Sequence, residues 1–208
     1  MTVALSAFHP WVFNECPGVP APLANDAIIT AARVFLTATE AITLSISQAT
    51  VAATPDYVPT VTTDTEMFKA VSLKRSATEW LTPKSQEFID AQSSPNGTAN
   101  MYCVLDTDPM SIRLSPTPDE VETLTLVVAL RPATTATVLD SVLSTRYRDA
   151  VVAYACYYLM SQNNKPWTDQ ERAKFLYNKY DGLVADTITA LSQSFAGLPS
   201  RVEMRPFA

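Results

Sequence analysis

The sequence predicts an α+β fold. One N-terminal helix and two long C-terminal helices form a bundle, with an antiparallel β insert in the middle and extended termini. Three observations predict it. Apolar residues recur every three to four positions before and after a tight turn at 162–171. An earlier stripe with the same spacing starts at Pro22. Between them, over 43–131, the period shifts to alternation punctuated by prolines.

In chain order, residues 1–21 hold His9, Pro10 and Trp11, then Cys16, Pro17, Gly18, Val19 and Pro20. Prolines beside an aromatic favour an extended arm lying on another surface. Pro22 suits the first turn of a helix. That helix runs to about residue 41, with Ala27, Ile28, Ala31, Val34, Phe35 and Ala38 on one side. Next, Leu44 and Ile46, then 67–73, 101–105, 112–114 and 121–130, are rich in β-branched residues and read as strands. Residues 84–91 read as a short helix between strands.

The hairpin begins near residue 140. Leu143, Tyr147, Val151, Tyr154 and Tyr158 make the first stripe. Ala173, Leu176, Tyr177, Tyr180, Leu183, Val184, Ile188 and Leu191 make the second, which ends near 195. Pro166 cannot sit inside the preceding helix. Thr168 with Glu171 three residues on forms a capping box, and Trp167 wedges the turn. A short loop implies antiparallel packing. Residues 198–208, with Pro199 and Pro206, read as an extended tail. The whole is expected to be a single domain over 1–208.

The composition narrows the function. The chain has 208 residues, 47% apolar and only 17% charged, against an average of about 25% charged; a surface short of charge suits contact with other subunits. With 15 basic and 21 acidic residues the net charge is −6. No basic stripe exists, so a nucleic-acid grip is not indicated. An acidic surface facing DNA suits a passage better than a clamp. Cys16, Cys103 and Cys156 are far apart and odd in number, which indicates neither a zinc site nor a disulfide framework. No charged segment followed by an apolar core marks a signal peptide, and no apolar run approaches the ~20 residues of a spanning helix.

Catalytic signatures are also missing from the sequence. The lone histidine, His9, lies in the arm, so a Ser-His-Asp or Cys-His arrangement would have to be built there. The four glycines, at 18, 97, 182 and 197, cannot make a phosphate loop. Asp106 with Asp108, and Asp119 with Glu120 and Glu122, are close carboxylates that could do acid–base work; turns flanking strands, where Asp is favoured, are the preferred reading. The expectation is therefore no catalytic, cofactor or metal site. Trp11 and Phe13 in the arm, with Arg201, Arg205 and Phe207 in the tail, are the expected interface residues.

The ordered series of segments resembles the head-to-tail adaptor (connector) proteins of tailed bacteriophages. It comprises Pro17-Gly18-Val19-Pro20, the helix with Ala27, Ala31 and Phe35, and Leu81-Thr82-Pro83. Ile112 to Pro116, Leu130-Arg131-Pro132, the helix with Tyr147, Ala150 and Ala153, and Lys165 to Asp169 follow. Such sequences carry a Gly-x-Pro before the central Tyr strand, where this chain has Gly97-Thr98-Ala99. The resemblance implies a structural virion protein, made in the host cytoplasm and placed in the neck. It implies a homo-oligomeric ring, a dodecamer, under the portal, and contacts with tail or neck proteins such as nozzle, tail terminator or fibre-attachment proteins. It also implies a lumen through which DNA passes without sequence-specific binding, with no membrane and no cofactor. The alternatives are another neck or tail-completion protein and a small carboxylate-based intracellular enzyme.

Overall fold

The computed structural model describes residues 1–76, 78–92 and 96–193. The arm is folded against the body. Strand β1 (Thr2–Ala4) pairs antiparallel with β9 (Val138–Asp140), Val3 opposite Leu139. A 3₁₀ turn, Leu5–Phe8, leads into α1 (His9–Glu15), where Pro10 takes a first-turn position. There its missing N–H breaks no intrahelical bond. Helix α2 (Ala21–Thr39) starts the same way, on Pro22, and ends at Glu40 in the left-handed region (φ 53°).

The middle of the chain makes two sheets. In one, β2 (Thr43–Ala49) and β4 (Thr65–Lys74) flank β8 (Thr123–Pro132) in the order β2-β8-β4. In the other, β3 (Asp56–Tyr57), β7 (Ser111–Ser115), β6 (Met101–Leu105) and β5 (Thr82–Pro83) run in that order. The β5–β6 pair is parallel, and α3 (Gln86–Ala91) packs beside β6. Leu73, Leu124, Leu126 and Val128 of the first sheet share one apolar core with Tyr102, Ile112 and Leu114 of the second. The two sheets therefore bury their inner faces against each other, with polar residues outward on alternate positions.

The last part holds α4 (Ser141–Thr145), α5 (Arg148–Met160) and α6 (Gln170–Ser192). A second core joins Phe8, Val12, Ile28, Phe35, Leu143, Val151, Leu159 and Leu176, contributed by the arm, α2, α4, α5 and α6. Small residues face one another where α2 crosses α5: Ala27 and Ala31 on one side, Ala150 and Ala153 on the other, all buried. Short side chains let the backbones approach closely.

This architecture corrects the expected fold class. The chain is not a three-helix bundle carrying one antiparallel insert, and the tail expected over 198–208 lies outside the described residues. Among the described residues it has six α-helices and nine strands in three sheets, one strand pair parallel. The first twenty residues supply a strand, a 3₁₀ turn and a helix in place of an extended arm. The reason is that prolines at helix starts look, in sequence, like breakers. The β1–β9 pair also joins residues over 130 positions apart, beyond any local signal.

Candidate interaction surface

The helical half carries Trp11 and Phe13, two of the five residues expected to make contacts. In the turn between α5 and α6, Thr168 does not cap the helix. Its hydroxyl donates to the Gln162 carbonyl and accepts from the Lys165 N–H at 3.0 Å. Asp169 is the cap instead, its Oδ1 accepting from the Arg172 N–H at 2.9 Å. Glu171 then falls at the second helical position, where its charge still favours the helix N-terminus, and the capping-box reading is corrected by one residue. Pro166 is exposed. Trp167 is half-buried against the helical core, and its indole Nε1 has no hydrogen-bond partner among the described residues.

In the arm, Trp11 is 42% exposed and lies under the Arg148 guanidinium, 4.5 Å from the ring centre. Phe13 is turned toward the core and sits 4.8 Å from the His9 ring. His9 Nε2 is 2.7 Å from Asn25 Oδ1, so the lone histidine fastens α1 to α2. Glu15 accepts three bonds from Arg172, the shortest 2.9 Å, tying α1 to α6. The structure thus turns Trp11 outward and Phe13 inward. Arg201, Arg205 and Phe207 lie outside the described residues.

Features that the sequence reading did not single out include a ladder of tyrosine rings across the hairpin. Tyr154 meets Tyr180 at 4.8 Å and Tyr157 meets Tyr177 at 4.9 Å between centroids. Tyr180 is 6% exposed and its hydroxyl has no partner among the described residues. Burial, reinforced by the neighbouring tyrosines Tyr154 and Tyr177, pushes it up to about 12. The i, i+3 spacing of Tyr154, Tyr157 and of Tyr177, Tyr180 was the available signal. Along α6, Phe175, Tyr177 and Ile188 are exposed.

Two charge clusters brace the molecule. Glu66 Oε1 accepts from Arg131 Nε at 2.7 Å and pairs with Arg33 Nη2 at 2.9 Å, while Arg33 also donates to the Pro132 carbonyl. This joins α2 to β4 and β8 below a groove of about 690 Å³ lined by Ile29, Val34 and Thr37. Burial raises the Glu66 carboxyl, but the two guanidiniums outweigh it and hold the group below its ordinary value. Arg113 takes Asp56 in a two-pronged bond (2.7 and 2.9 Å) and Asp90 at 2.8 Å, joining β3, β7 and α3. That bond lowers the Asp56 carboxyl.

None of this resembles reaction machinery. Asp106, Asp108, Asp119 and Glu120 are exposed, and Glu122 faces Arg75 at 3.6 Å. Among the described residues no three His, Cys, Asp or Glu side chains gather to hold a metal. The three thiols are buried and free, and the hydrogen bond that Cys156 shares with Cys16, together with burial, pushes the Cys156 thiol upward. No described helix is long and apolar enough to cross a membrane.

A family model for the SU10 adaptor protein matches residues 20–203. The chain belongs to the SU10 adaptor protein family. This is a family of phage head-to-tail adaptors, so the chain is a structural adaptor that interacts with phage head and tail components in the virion. No curated protein matches it. The match spans α2, both large sheets and the α5–α6 hairpin, and leaves out β1 and α1.

Proposed function

We propose that the chain is a subunit of a dodecameric ring seated beneath the portal, which joins head to tail and leaves a lumen for DNA. The observation that carries this reading is the family match over residues 20–203. The charge supports it: a net charge of −6 repels a passing duplex and does not hold it. So does the character of the surface, which offers aromatic and apolar contacts in place of an active site. Trp11, stacked on Arg148, offers an outward aromatic of the type that anchors interfaces.

The tail, 198–208, is proposed as the portal contact. Arg201 and Arg205 pair with acidic groups, Phe207 supplies an apolar anchor, and Pro199 and Pro206 reduce the ordering entropy lost on docking. The neighbours on the other side are tail or neck proteins. Negative-stain images of virions labelled on this protein test the placement: label at the neck supports the ring, and label on the capsid or tail tip rejects it. Deleting 198–208 tests the anchor. Loss of portal binding with an unchanged melting temperature is expected; unchanged binding would move the role to the arm and Trp11.

A further inference from the structure

Strand β2 is a free sheet edge of an unusual kind. The Leu130 N–H donates to the Ile42 carbonyl at 3.0 Å and the Thr50 N–H to the Glu122 carbonyl at 2.8 Å. With the unbroken register from Thr43↔Ala129 to Ala49↔Thr123, these two bonds fix which residues face β8. They are the even ones, because hydrogen-bonded pairs alternate along an antiparallel ladder. Thr43, Ser45, Ser47 and Ala49 therefore turn their backbone groups outward. Among the described residues none of their N–H groups meets an acceptor, and of their carbonyls only that of Ala49 is engaged, by Gln48 Nε2. Residues 58–63 pass nearby, Pro59 sharing a cavity with Gln48 and Thr62 one with Thr43, yet no backbone bond joins them to β2.

The opposite edge of the same sheet is protected. Strand β4 has two register irregularities, carries Lys69 and Lys74, and is met at its end by Trp80 and Leu81. Bulges and lysines are the usual devices that stop a stray strand from adding. Strand β2 has none of them: it is regular, and residues 41–55 contain no charged side chain and only one proline, at 55.

We infer that the β2 edge is a docking site for an extended segment of a different neck protein, which adds as a further strand beside β8 and β2. A second copy of this chain fits less well. Among the described residues the chain has no other regular, uncharged edge longer than three residues to offer. Two β2 edges pairing with each other would close a two-fold dimer and could not propagate around a ring. Charge describes the segment further. Glu40, at one end of β2, is already paired with Lys69 at 2.6 Å, whereas the exposed Asp119 and Glu120 lie beside the other end through the Thr50 bond to the Glu120 carbonyl. The partner segment is thus about seven extended, uncharged residues with a basic residue at the end that meets Asp119 and Glu120, held by main-chain bonds. The inference rests on the proposed neck assembly only for the source of that segment.

The test uses the full-length protein labelled with ¹⁵N and a synthetic peptide of alternating Val and Thr with Lys at one end. A second peptide is N-methylated at alternate residues. The expected result is that the first peptide slows amide exchange at Ser45 and Ser47 by at least about tenfold, leaves Ile46 and Gln48 unchanged, and that the methylated peptide does nothing. Ser45→Pro removes an outward donor without touching the β8 ladder, as edge strands permit. It should abolish the protection at Ser47 and exclude the folded protein from virions. If Ser45→Pro does not fold, the methylated peptide still decides. Equal protection of odd and even positions, or none, overturns the inference. So does protection already present in the free protein and rising with its concentration, which would make the occupant a second copy. Because the peptide arm needs no virion, mislocalisation of the protein would reject the ring and leave the edge standing.

Discussion

Replacing Tyr180 by Phe should make the protein more stable. Tyr180 is 6% exposed, and its hydroxyl finds no partner among the described residues. Burying an unbonded hydroxyl costs about 1–3 kcal/mol by the measure of protein mutations. Removing the oxygen leaves a void of roughly 10–15 Å³, which at about 24 cal/mol per Å³ costs only ~0.3 kcal/mol. The ring keeps its edge contact with Tyr154. The expected net gain is about 1–2 kcal/mol, or a melting temperature higher by about 2–8 °C for a chain of this size. Urea unfolding with an unchanged slope checks it. Alkaline titration gives a second reading. The folded-state value, about 12, lies above the ordinary 10.0, so the native state holds a proton that the unfolded chain releases first. Stability is then full below the ordinary value and is lost as pH rises through the folded one. Tyr180→Phe should remove that part of the alkaline loss. A variant less stable than the parent at neutral pH would mean that the hydroxyl makes a bond, and the reasoning would fail.

Other substitutions follow the same logic. Trp167→Ala should cost about 2–4 kcal/mol, below the full-burial range because the ring is half-buried, and Trp167→Phe clearly less because the indole N–H has no partner; thermal melts compare them. Phe35, fully buried on α2 against the Tyr147 ring, should cost about 3–5 kcal/mol as Phe35→Ala, measured by urea unfolding. The Glu66 and Asp56 carboxyls both sit below their ordinary values, so their contributions are present above those values and lost as pH falls through the folded ones. Arg113→Met should accordingly move acid unfolding to higher pH, and a midpoint unchanged from the parent would reject the role given to Arg113.

Local signals carried some elements and not others. Helix α2 announces itself through Pro22 and its alanine-rich stripe, and the break before α6 through Pro166, because both act within one turn of the chain. The cap of α6 was displaced by one residue because Thr168 and Asp169 are both good caps; the Thr168 hydroxyl is spent on Gln162 and Lys165, which only the folded loop reveals. The three-sheet arrangement was not legible. Alternation reports that a strand has a buried face, but not which strand lies beside it, and β8 lies between strands from far upstream. The same limit hid α1, whose packing is decided by Glu15–Arg172 and His9–Asn25, contacts between distant residues. Trp11 and Phe13 look alike in sequence, and only the helical turn between them separates outward from inward.

The helical core is discontinuous in sequence. Its parts come from α1 and α2 on one side of the sheets and from α4 to α6 on the other, with Ile42 touching both cores. During synthesis the paired sheets have all their strands once Pro132 has left the ribosome. The buried stripe of α2, with Ile28 and Phe35, must wait until α5 and α6 emerge. About 150 residues separate the ends of α2 and α6, so at about 5–20 residues per second the apolar helix face stays uncovered for roughly 10–30 s. Ribosome stalling or premature termination between β8 and α6 therefore leaves a nascent chain with finished sheets and a sticky helix. A pulse-labelled truncation ending after β9 should be held by chaperones or aggregate, and only chains carrying α6 should enter the assembly pool.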